Sequence, residues 1–166
     1  RLEKSTHEKK YDVCVICSGP EPQRKIFEKM VTVQLKNSGL KTILIKGTTD
    51  SLNKYYNNDK TFRIANYLTS TDMSEVIQQS GIIISRPGYS TVMDLARLGS
   101  KAIFIPTPGQ TEQEFLAKTL TEQQIAYSIK QSHFDLLKAL KEAENYKGFS
   151  NFEPDESLLQ NAIDSL

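Results

Sequence analysis

Gly81-Ile82-Ile83-Ile84-Ser85-Arg86-Pro87-Gly88-Tyr89-Ser90-Thr91-Val92-Met93-Asp94 is the stretch that decides the fold of this chain. Its first five residues form a short apolar run closed by a small hydroxylic residue, the pattern of a strand buried on both faces. Pro87 and Gly88 interrupt that run, and a helix is predicted over residues 90–98. A buried strand, a tight turn and a helix in immediate succession are the building block of an α/β sheet.

The same alternation extends outward in both directions. Upstream, residues 11–17 are almost continuously apolar, and Ser18-Gly19-Pro20-Glu21-Pro22 breaks them with Pro and an acid placed as a helix N-terminus prefers. Ile26, Phe27, Met30, Val31 and Leu35 then recur at spacings of three and four, a helical stripe ending near Gly39. Strands are predicted at residues 42–46 and 62–67, with a polar loop between them and a short helix at 73–79. Downstream, a strand at 102–105 precedes a helix at 111–123, an edge strand at 126–129 and a helix at 134–143. After the polar stretch 149–154, a last amphipathic helix is expected at 156–166. This order implies an open, doubly wound, mainly parallel α/β sheet of the Rossmann-like kind. Residues 1–10 read as a polar leader or interdomain linker, 11–148 as the domain, and 149–166 as a C-terminal extension.

Composition narrows the function classes. The chain has 166 residues, 38% apolar and 25% charged, which suits one globular domain. Twenty-one basic and 20 acidic residues leave a net charge of only +1, which argues against a nucleic-acid partner. No apolar run approaches the roughly eighteen residues needed to cross a bilayer, and residues 1–10 lack the apolar core of a secretory signal. A start at Arg1 fits a trimmed tag or a domain cut from a longer polypeptide, and the second reading is preferred. Cys14 and Cys17 form a CxxC, but within a strand such residues point to opposite faces. They read as two buried structural thiols, with a reducing, cytoplasmic setting.

In doubly wound sheets ligands bind beyond the carboxyl ends of the strands. That confines the search to the loops at 18–24, 66–72, 85–94 and 106–114. At the third, Ser85 ends the strand, Gly88 permits the turn, and Ser90 and Thr91 supply an N-cap and free amides at a helix start. This is an anion site suited to a diphosphate, with Asp94 one turn on to accept from ribose hydroxyls, or else an ordinary Ser/Thr cap. The fourth loop, Pro106-Thr107-Pro108-Gly109-Gln110-Thr111-Glu112-Gln113-Glu114, offers amides and carboxylates to sugar hydroxyls, or else is a helix start capped by Thr111 with Glu114 in a capping box.

Taken together, Ser85-Arg86-Pro87-Gly88-x-x-Thr91-x-x-Asp94, Ala102-Ile103-Phe104-Ile105-Pro106 and Gln113-Glu114-Phe115 resemble the C-terminal, donor-binding domain of inverting GT-B glycosyltransferases. The pattern is similar to that of the lipid II-forming N-acetylglucosaminyltransferase of peptidoglycan synthesis and of the related subunit of the dolichol-linked enzyme. The resemblance implies that Asp94, where the family usually has Glu, grips the ribose, and that Gly88, Ser90 and Thr91 lie beneath the diphosphate. It also implies that Gln113 contacts the donor sugar and that the Leu68 main chain reads the uracil edge. Glu114 stands where the family has a second glutamine, which opens the identity of the sugar. Ser85, Arg86 and Gln110 complete that set of donor-binding residues.

The first loop departs most from the family. In place of a Gly-Gly-Ser sequence stands Cys17-Ser18-Gly19-Pro20-Glu21-Pro22-Gln23-Arg24. Ser18 and Gly19 are candidates for a phosphate contact, and Arg24 either supplies positive charge or is an ordinary solvated helix residue. Pro20 and Pro22 remove two amide donors.

No catalytic base is evident, since His7 and His133 both read as surface residues. The resemblance assigns the base and the acceptor site to a missing N-terminal domain or partner subunit. The expected ligand is a UDP-sugar, carrying a hexosamine, and the acceptor a lipid-linked or other glycan. Neither a DxD motif nor a metal-ligand cluster is present, so no metal or other cofactor is expected. Any membrane association would run through the missing half. The alternatives are a GT-B epimerase or nucleotide-sugar hydrolase, and a non-catalytic nucleotide-binding module.

Overall fold

The computed structural model describes residues 8–48, 59–150 and 164. Among them, six strands form one sheet: β1 (Tyr11–Ile16), β2 (Thr42–Ile45), β3 (Phe62–Ala65), β4 (Ser80–Ser85), β5 (Ala102–Phe104) and β6 (Tyr127–Ser128). Their order is β3-β2-β1-β4-β5-β6, and every neighbouring pair is parallel. The described helices are α1 (Gln23–Lys36), α2 (Ser70–Gln78), α3 (Tyr89–Leu98), α4 (Thr111–Glu122) and α5 (Leu136–Ala143).

An all-parallel sheet must be covered on both faces, and alternation along the strands sorts its side chains between two layers. Cys14, Ile43, Ile45, Ile83 and Phe104 pack with Val76 and Ile77 of α2, Val92 and Leu95 of α3, and Leu116 and Leu120 of α4. Val13, Val15, Leu44, Ile84 and Ile103 pack with Phe27, Val31 and Leu35 of α1 and Leu136 and Ala139 of α5. The doubly wound architecture expected from the alternation is therefore present.

Two element bounds shift for local reasons. Helix α2 begins at Ser70, not at 73, because the Thr69 hydroxyl accepts from the Asp72 N–H at 3.2 Å and starts a polar first turn. The apolar stripe becomes visible only at Met73. Strand β3 ends at Ala65, after which buried Asn66 turns its carbonyl to the Thr48 N–H at 2.8 Å. At the carboxyl end of β2, Gly47 has a φ of +69°, and a Cβ there would lie 2.8 Å from the Cys17 carbonyl oxygen. Glycine thus lets the exits of β1 and β2 pass in contact.

The chain remains part of the packed unit beyond residue 148. Phe149 is buried edge-on against Phe104, ring centroids 6.4 Å apart, and its N–H donates to the Ser100 carbonyl at 3.0 Å. The expected final helix at 156–166 lies outside the described residues apart from Asp164, which is helical. Among the described residues no helix is long and apolar enough to cross a membrane.

Cys14 and Cys17 are free and buried, one in each layer. Burial raises both thiols, Cys17 from 9.0 to about 12, with the Glu28 carboxylate adding to the effect. A raised folded-state pKa means that the neutral thiol is favoured in the folded chain. The resulting stability is present below the ordinary thiol range and is lost as pH climbs from there toward the folded-state value. Both thiols should therefore resist a disulfide reagent at pH 8 in the native protein and react fully in denaturant. Rapid labelling of either one without denaturant would contradict the burial.

Candidate functional site

The sheet register aligns all six carboxyl ends. Ala65 pairs with Ile45, Ile45 with Ile16, Ile16 with Ser85, Ser85 with Phe104, and Phe104 with Ser128. The four loops singled out above consequently leave the same edge. The order of addition reverses at β1: β2 and β3 lie on one side of it, β4 to β6 on the other. The position between the exits of β1 and β4 is the topological switch point, where such sheets bind ligands.

Helix α3 begins at this point. Its N-cap is Gly88, extended at φ −73° and ψ 146°, with no side-chain cap. The expectation that Ser90 and Thr91 supply the cap is corrected: they are the second and third helical residues, because Tyr89 is already helical. The first main-chain bond of the helix runs from the Val92 N–H to the Gly88 carbonyl at 2.9 Å. Among the described residues, the N–H groups of Tyr89, Ser90 and Thr91 have no acceptor, and the positive end of the helix dipole coincides with them. Ser90 is exposed and Thr91 half-buried. Asp94 is exposed on the same helix and lies 3.8 Å from Arg97.

The loop after β5 forms a second wall. Gln110 is the N-cap of α4 without a side-chain cap, so neither the Thr111 cap nor a capping box with Glu114 forms. Gln113 folds back instead, its Oε1 accepting from the Thr107 N–H at 2.8 Å. That bond engages the amide oxygen and leaves the NH2 group as the donor end of the side chain. Gln110 and Glu114 are exposed beside it.

Two other predicted contacts are placed differently by the structure. Ser85 is fully buried and donates to the Arg86 carbonyl at 3.2 Å, so its hydroxyl does not face the switch point. Arg86 is 2% exposed and lies beneath the loops, its Nη1 donating to the carbonyls of Ile105 at 3.0 Å and Pro106 at 3.3 Å. Both residues were expected to bind the donor directly; strand-end burial commits them to the protein interior.

At the exit of β1, Arg24 is neither a free cation nor a solvated residue. Its Nη1 donates to the Lys46 carbonyl at 2.9 Å, and it pairs with Glu21 and, at 3.8 Å, with Glu28. The Glu21 carboxylate also accepts from the Lys25 N–H at 3.3 Å. The start of α1 thus already holds a carboxylate of its own chain, next to two prolines that offer no amide. Ser18 is half-buried and Gly19 exposed with a φ of +95°. Across the sheet, Leu68 packs half-buried against the α2–α3 layer, beyond the end of β3.

Two participants escaped the sequence reading. Glu21 read only as a favourable acid at a helix start. Gln131, whose Oε1 accepts from Arg86 Nη2 at 2.6 Å, carries no local signal because its partner is 45 residues away. It sits in a short 3-10 turn, Gln131–His133, at the same sheet edge. The turn that carries His133 is therefore closer to the motif loops than the sequence suggests, although His133 itself is exposed.

A fully parallel sheet in this order, with an uncapped helix start at its switch point, defines a Rossmann-like domain of the kind from which GT-B enzymes are built. The family model described as the glycosyltransferase family 28 C-terminal domain matches residues 7–163, and the chain belongs to that family. The UDP-N-acetylglucosamine--N-acetylmuramyl-(pentapeptide) pyrophosphoryl-undecaprenol N-acetylglucosamine transferase of a Sulfurihydrogenibium species is 24% identical over 163 residues, 90% of this chain and 46% of that protein. The solution structure of ALG13 superposes with a TM-score of 0.63 at 16% identity, covering 95% of this chain and 98% of that one. The crystal structure of Acinetobacter baumannii MurG gives a TM-score of 0.62 at 17% identity, covering 98% and 53%. These superpositions show the fold. The chain spans less than half the length of the curated relatives it matches, 26% of the Cytophaga hutchinsonii protein for example.

Proposed function

We propose that this chain is the donor-binding half of an inverting glycosyltransferase that moves a hexosamine from a UDP-sugar to an acceptor held by another domain or subunit. The observation that carries the reading is the uncapped start of α3 at the switch point, with three open N–H groups and the exposed Asp94 on the same helix. Its amides, with Gly88, Ser90 and Thr91, take the diphosphate. Asp94 accepts from the ribose hydroxyls, and the main chain at Leu68 reads the uracil edge. The Gln113 NH2 group donates to the sugar, with Gln110 and Glu114 at the rim. Ser18 and Gly19 line the opposite wall.

In the reaction an acceptor hydroxyl, deprotonated by a base outside this chain, attacks the anomeric carbon. The bond from that carbon to the diphosphate oxygen breaks, and its electron pair leaves with the nucleotide. Helix amides meet the growing negative charge, so the step requires no metal. Family membership and relatives named as UDP-N-acetylglucosamine transferases support this reading. The protein works in the cytoplasm, where its two thiols stay reduced, and a lipid-linked acceptor brings the membrane to the other half.

Titration with UDP tests the proposal. The chain should bind UDP, and Asp94→Ala should weaken binding about tenfold, the loss of roughly 1.5 kcal/mol from a charge-assisted hydrogen bond. No measurable UDP binding, or an Asp94→Ala variant as tight as the parent, would remove the donor site.

A further inference from the structure

We propose that Arg86 sets the affinity of the donor site without touching the donor, as a cross-tie that holds the exits of β4 and β5 and the start of α1 at fixed spacing. The inference rests on the donor-site reading above.

Three distant segments meet at this one guanidinium. Nη1 donates to the carbonyls of Ile105 at 3.0 Å and Pro106 at 3.3 Å. Nη2 donates to Gln131 Oε1 at 2.6 Å and makes a longer, 3.5 Å contact with the Gln23 carbonyl at the start of α1. The guanidinium plane lies over the Phe27 ring, 4.4 Å from its centroid. Burial lowers the pKa of Arg86 to about 10, which leaves it charged at neutral pH.

The partners named here are all neutral. A buried charge held by carbonyl dipoles and a ring face is costly to desolvate and gains little net stability. What the arrangement does supply is geometry, because a planar fork fixes its acceptors in distance and direction. Both walls of the proposed site hang from it. One residue beyond Pro106, the Thr107 N–H donates to Gln113 Oε1 at 2.8 Å and fixes that side chain. Two residues beyond Arg86, Gly88 opens α3. Loosening the tie releases Gln113 on one wall and the α3 amides on the other.

Lysine keeps the charge, but a compact ammonium cannot bridge Ile105 to Gln131 while covering Phe27. In Arg86→Lys we expect UDP affinity to fall about tenfold, the scale of small misplacements in a preorganised site. Hydrogen exchange followed by NMR should show the Thr107 N–H exchanging much faster, while Val15 in β1 and Ile84 in β4 keep their protection. A residue that mattered only for stability would accelerate all three together. Gln131→Ala, which leaves Arg86 in place and removes one partner, should weaken UDP by about threefold in the same direction.

UDP affinity within twofold of the parent in folded Arg86→Lys, or Thr107 exchange that does not outpace the sheet, overturns the proposal. If Arg86→Lys does not fold, Gln131→Ala decides by the same two readouts. If the parent chain itself fails to bind UDP, the donor-site reading falls, and the cross-tie is judged on Thr107 exchange alone.

Discussion

Replacing Ser90 with aspartate is expected to stabilise the chain and, at the same time, sharply weaken the proposed UDP binding. Ser90 is exposed in the first turn of α3, where no side chain caps the helix. A carboxylate there interacts favourably with the helix dipole, by about 0.3–1 kcal/mol. That corresponds to a rise in Tm of roughly 1–4 °C for a chain of this size. The same charge stands where the diphosphate is proposed to lie. Two like charges about 4 Å apart repel by about 4 kcal/mol at an effective dielectric of 20, and salt reduces this. A loss of at least thirtyfold in UDP affinity, about 2 kcal/mol, is therefore expected. Ser90→Asn, neutral and of similar size, should stay within threefold of the parent. Thermal melts and calorimetric titration on the three proteins read both effects. A Ser90→Asp variant that melts higher and still binds UDP normally would put the phosphates elsewhere.

Phe27→Ala is expected to cost the most stability of any single change discussed here. The ring is fully buried in the layer formed by α1 and α5 and lies directly against the Arg86 guanidinium. Truncating a buried phenylalanine costs about 3–5 kcal/mol, through lost burial and the cavity left behind. Against a total stability of about 5–15 kcal/mol, that is a large shift in the urea midpoint. The removed ring is also the platform of the cross-tie, so the loss should not add simply to that of Arg86→Lys. A double-mutant cycle should show coupling of at least 0.5 kcal/mol. A Phe27→Ala loss under 1 kcal/mol would mean that the α1 layer closes over the gap, and would take Phe27 out of the account of Arg86.

Much of the fold was legible because each signal was local. The apolar runs around Val13-Cys14-Val15 and Ile82-Ile83-Ile84 mark strands covered on both faces, and the stripe of Phe27, Met30, Val31 and Leu35 marks a helix packed on one, with Ile26 exposed outside it. The departure of the first loop from the family pattern was equally plain in Pro20 and Pro22. The consequence was not. Only the folded chain shows Glu21 and Arg24 closing on one another over the start of α1. The cap at α3 went astray because hydroxylic residues favour N-caps on average, whereas here the cap position falls two residues earlier, on a glycine with extended backbone.

What the sequence by itself determined is the alternation of strand and helix, the parallel sheet that follows from it, and the few loops at which a ligand can bind. Those depend on the periodicity and turn chemistry of neighbouring residues. Tertiary structure alone decided which motif residues are buried and which are open to solvent. Arg86 and Asp94 belong to the same short motif, yet one is buried under three segments from distant parts of the chain and the other is open to solvent. The physical reason is that a side chain's role follows from the partners packed around it. For Arg86 those partners lie 19 to 63 residues away, beyond the reach of any local pattern.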